Sequence, residues 1–136
     1  FEIGKALVLN EGSDVSLIAT GHLVWEALEA AKQLEAEGIS AEVIDIHTIK
    51  PLDNEAILRS VAKTGCVVGC EEHQYNGGLN ESIAQLLVRN NPAPMEFVGV
   101  DDKFGESGTP DELMAKYGLK ATNIVAAAKK AIARKK

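Results

Sequence analysis

Short apolar runs alternate with amphipathic stretches along this 136-residue chain. Lys5 to Leu9 is a brief apolar segment ended by the turn signal Asn10-Glu11-Gly12, which predicts a strand. Val15 to Thr20 (VSLIAT) is a β-branched run and predicts a second. After Gly21, apolar positions at Leu23, Val24, Ala27, Leu28, Ala31 and Leu34 recur with helical spacing. They predict a helix from His22 to Glu37 that Gly38 stops. Ala41 to Ile46 is the next strand. Asp53 or Asn54 caps a helix to about Lys63, with Ile57, Leu58 and Val61 facing inward. Cys66 to Glu71 and Met95 to Val100 are further strands. They flank a helix from Gly78 to Arg89 that the Asn-Pro-rich stretch 90–94 breaks. Thr109 and Pro110 open a short helix over Leu113 to Tyr117. Thr122 or Asn123 caps a final Ala-rich helix carrying Ile124, Val125, Ala128 and Ile132.

Strands alternating with helices imply a parallel sheet covered on both faces. If the second helix crosses to the face opposite the first, the strands Val15–Thr20 and Cys66–Glu71 become neighbours. Their carboxyl ends then flank a topological switch point, where open α/β sheets meet ligands and partners. Gly21-His22 and Glu71-Glu72-His73 are expected across it from one another, with Gly77-Gly78 leading into the next helix.

Composition adds limits. No run approaches the ~20 apolar residues a membrane span needs, and nothing reads as a signal peptide. A net charge of -6 argues against a nucleic-acid surface. All 20 acidic residues lie at or before Glu112, and 7 of the 14 cations lie after it. Those later cations suit a helix C-terminus, or an acidic neighbour. Cys66 and Cys70 share a strand face but sit about 13 Å apart, beyond the ~7 Å reach of a disulfide. They read as small buried groups in a reducing, cytoplasmic setting. The chain opens on Phe1-Glu2-Ile3 without Met, and is expected to be one domain, 1–136, of a longer polypeptide.

The candidate chemistry is sparse. His22 and His73, with Glu71 or Glu72, are residue types suited to acid–base or metal work. No third ligand stands at a recognisable spacing, and a hydrogen-bonded structural role fits them as well. Gly77-Gly78 before a helix lets a phosphate approach backbone N–H groups, yet neither GxGxxG nor GxxxxGK[ST] is present. A close helix–strand turn explains the pair equally. Phe104-Gly105-Glu106-Ser107-Gly108 reads as a loop with one aromatic anchor. Trp25 suits either core or interface.

Taken in order, these pieces resemble the C-terminal domain of transketolase along the whole chain. The resemblance rests on Phe1 to Ala6, on Val15 to Gly21 and on His47-Thr48-Ile49-Lys50-Pro51-Leu52-Asp53 (an IKPLD connection). It rests also on Glu71-Glu72-His73 followed by Gly77-Gly78-Leu79, and on Phe104 to Gly108 followed by Pro110 to Leu119. The FGESG form is most similar to split bacterial and archaeal transketolases, whose second subunit ends in this domain. The resemblance implies a three-layer α/β/α domain with a five-stranded mixed sheet, its first strand, Lys5 to Leu9, antiparallel at an edge. It implies a dimeric parent enzyme of the pentose phosphate pathway that uses thiamine diphosphate and Mg²⁺ or Ca²⁺ to move a two-carbon ketol unit between sugar phosphates. The family's cofactor motif, GDG followed by Asn-Asn, is missing here. The cofactor is therefore expected on other domains, this domain is expected to be inactive alone, and no residue is assigned catalysis or metal binding. Gly21, His22, Glu71, Glu72, His73, Gly77 and Gly78 are the expected ligand-facing or interdomain edge. Two other readings stay open: the equivalent domain of a 2-oxoacid dehydrogenase β subunit or deoxyxylulose-phosphate synthase, and a small-molecule-binding regulatory module.

Overall fold

Val15, Ser16, Leu17, Ile18 and Ala19 are all fully buried, which requires a strand covered on both faces. This is β2 (Val15–Ala19), the centre of the molecule. The computed structural model of the chain describes residues 5–47, 52–71, 78–99 and 120–135. In order they form β1 (Leu7–Asn10), β2, α1 (Leu23–Ala36), β3 (Ala41–Asp45), α2 (Asn54–Thr64), β4 (Val67–Cys70), α3 (Leu79–Asn90), β5 (Met95–Val98) and α4 (Ala121–Ala133). The predicted helix Leu113–Tyr117 and the Phe104–Gly108 loop lie outside the described residues.

The sheet order is β1-β3-β2-β4-β5. β1 pairs antiparallel with β3, and all other pairs are parallel. The predicted neighbours β2 and β4 do pair, Ser16 opposite Val67 and Ala19 opposite Cys70. Alternation along the strands divides the apolar residues into two cores. Val15, Leu17, Val43, Val68 and both cysteines face α1 and α4. Ile18, Ile44 and Val67 face α2 and α3, where Ile57, Val61, Ile83 and Leu87 close over them. Helices on opposite faces of one mixed sheet make the expected α/β/α sandwich.

Local chemistry sets the boundaries. β1 starts two residues later than predicted because the Ala6 N–H is drawn to Asp53 Oδ2 at 2.9 Å. The same carboxyl caps α2 by accepting from Ala56 N–H at 3.2 Å, so Asp53 rather than Asn54 is the cap. These bonds hold its carboxyl below the usual value. Neither Thr122 nor Asn123 caps α4. The helix starts earlier, at Ala121, because its first N–H is met from α1 by Glu26 Oε1 at 2.9 Å. Asn123 instead folds back to accept from Lys120 N–H at 3.1 Å. Trp25 is 74% exposed, so it is no part of the core.

Polar groups inside the α2 face are satisfied in a chain. Ser16 Oγ bonds Ser60 Oγ at 2.6 Å and Thr64 Oγ1 at 2.7 Å, and Thr64 donates to Cys66 O at 3.0 Å. Burial raises the Glu42 carboxyl, but hydrogen bonds from Lys63, Ser60 and Gly12 N–H outweigh it and hold the group below its usual value. The cations of α4 do more than sit at a helix end. Lys129 pairs with Glu37, Arg134 and Lys130 pair with Glu96, and Lys135 Nζ donates to Asp14 O and Thr64 O at 2.9 Å each.

Candidate functional site

Three strands end level at their carboxyl termini. Ala19 is opposite Asp45 on one side and Cys70 on the other. Beyond them the ladder runs on for one more bond each: Ile46 N–H to Ala19 O at 2.9 Å, Thr20 N–H to Cys70 O at 3.2 Å and Glu71 N–H to Val98 O at 3.0 Å. Gly21-His22, Ile46-His47 and Glu71 therefore leave the sheet along one edge, as the topology anticipates. Glu72, His73 and Gly77 lie outside the described residues.

The edge residues are placed together, but their side chains are not turned to one task. Gly21 adopts φ 63° and His22 enters α1 as an exposed residue that makes no side-chain cap. Glu71 is 3% exposed, and its Oε2 accepts the N–H of Asn80 in the first turn of α3. Gly78, the residue before that helix, has no side chain with which to cap it. Glu71, directly after β4, supplies an acceptor for an N–H of the first turn of α3. A phosphate at the start of α3 would compete with the Glu71 carboxyl for the Asn80 N–H.

Asn80 itself is 1% exposed, and neither its Nδ2 nor its Oδ1 has a hydrogen-bond partner among the described residues. The amide lies against Gly69 of β4, where an added Cβ would meet Oδ1 at 2.0 Å. Gly69 is thus present for close approach of helix and strand.

A second feature of this edge was not singled out from sequence. A groove of about 600 Å³ runs between β1, β3 and α1, lined by Leu9, Gly21, Trp25, Asp45 and His47 among others. His47 Nε2 stands 3.8 Å from Asp45 Oδ2. The available signal was a His directly following a β-branched strand, Ala41 to Ile46, and an unplaced Trp one turn into the neighbouring helix.

Residues 4–124 match the model of the transketolase C-terminal domain family. The chain belongs to that family. It is 50% identical over 135 residues to a 6-deoxy-6-sulfo-D-fructose transketolase subunit of Clostridium sp. (strain MSTE9), covering 99% of this chain and 42% of that protein. It is 38% identical over 135 residues to a 1-deoxy-D-xylulose-5-phosphate synthase of Geobacter sulfurreducens, covering 98% of this chain and 21% of that enzyme. Among solved structures, a split gene transketolase described as an inactive beta4 tetramer superposes with a TM-score of 0.94 at 49% identity. It matches 100% of this chain and 45% of its own. The chain thus spans less than half the length of these relatives. The lower identity to the synthase ranks that alternative second.

A transketolase implies thiamine diphosphate and a divalent cation. No three His, Cys, Asp or Glu converge to hold a metal among the described residues. Among the described residues of the edge, the buried Glu71 carboxyl already accepts from the first turn of α3. No described helix is long and apolar enough to cross a membrane.

Proposed function

We propose that this chain is the C-terminal domain of the second subunit of a split transketolase, part of a longer polypeptide. In that enzyme, two-carbon ketol units pass between phosphorylated or sulfonated sugars on thiamine diphosphate and Mg²⁺ or Ca²⁺ held by other domains. The parent is a cytoplasmic dimer of the complete assembly, serving the pentose phosphate pathway or a related sugar interconversion. This domain contributes assembly and a wall of the assembled enzyme through the carboxyl edge, with Gly21, His22, Glu71, Glu72, His73, Gly77 and Gly78 facing a neighbouring domain. The observation that supports this most is similarity along the whole of this chain to 45% of a split gene transketolase chain, at a TM-score of 0.94. The spent α3 N-terminus supports a scaffold over a phosphate-binding module.

A domain exchange tests it. This chain replaces the matching segment of the Clostridium subunit, which is combined with its companion subunit, thiamine diphosphate and Mg²⁺. Ketol transfer is then assayed from 6-deoxy-6-sulfo-D-fructose and from fructose 6-phosphate. Activity in the chimaera and none in the isolated chain is the expected result. A chimaera that assembles and binds cofactor yet transfers nothing would refute the assignment, as would turnover by the isolated chain.

A further inference from the structure

We draw no further inference here: the strongest candidate, the groove of about 600 Å³ between β1, β3 and α1 that leaves Trp25 exposed beside Asp45 and His47, belongs to the carboxyl edge already described, and nothing in the structure shows what covers it.

Discussion

Asn80 of α3 packs directly on Gly69 of β4, and the pair shows how a single missing Cβ positions α3. Gly69→Ala would drive a methyl into Asn80 Oδ1. We expect a loss of about 1–3 kcal/mol, the ordinary cost of overpacking a closed site. Adding Asn80→Ala should recover most of it, since that change removes both the clash and a buried carboxamide without a partner among the described residues. Urea unfolding of the two single variants and the double variant gives the coupling directly. Asp53 and Glu42 govern the acid limb. Both folded carboxyls titrate below their ordinary values of 3.8 and 4.5. The unfolded chain therefore takes up protons first as the pH falls. Their stabilisation is complete above about pH 5 and is lost as the pH drops through the folded values. Unfolding free energy measured from pH 7 to pH 3 should be flat and then decline. Asp53→Asn should flatten part of that decline. Of these groups, Asp53 was legible as a cap from its place before an amphipathic run. Glu71 was legible only as an acid at a strand end. Its use as the cap of α3 needed the register of β4 against that helix.

At the scale of elements, apolar periodicity located every strand and helix that the structure describes, because each buries a face at the matching period. The ends were less readable, because partners remote in sequence decide them. α4 begins at Ala121 through a carboxylate 95 positions earlier. No local pattern encodes that bond, so Thr122 and Asn123 looked like the better caps. Glu26→Ala removes the acceptor and leaves the first N–H of α4 without it. A cost of about 1 kcal/mol is expected, typical of a lost cap, with fraying confined to the start of the helix. A thermal melt and amide exchange at Ala121 and Thr122 would measure both. The groove under Trp25 escaped sequence reading for a related reason. Its walls come from β1, β3 and α1, and only tertiary structure aligns Leu9, Trp25 and His47.

For the whole molecule, the sequence placed β2 beside β4 on the condition that α2 crosses to the far face, and the structure meets that condition. The antiparallel position of β1 came from family resemblance rather than from the pattern of its residues. Cys66 and Cys70 report on the integrity of this assembly. Both are fully buried as free thiols in the α1–α4 core, and burial pushes both thiols up in pKa. Labelling by a disulfide reagent in native buffer should proceed only at the rate of global or near-global opening, and urea should accelerate both sites together. Fast labelling of either would show that this core opens locally. The two faces of the sheet differ in how they are assembled. α2 and α3 follow one another with only β4 between them, whereas α1 and α4 must be brought together across more than eighty intervening positions. Closing the long span costs more chain entropy, so the α1–α4 side should be the later one to form and the α2–α3 side the earlier nucleus. Pulsed hydrogen exchange during refolding would expose such an asymmetry as protection appearing in two waves, with Ile57 and Ile83 leading Leu34 and Ile124.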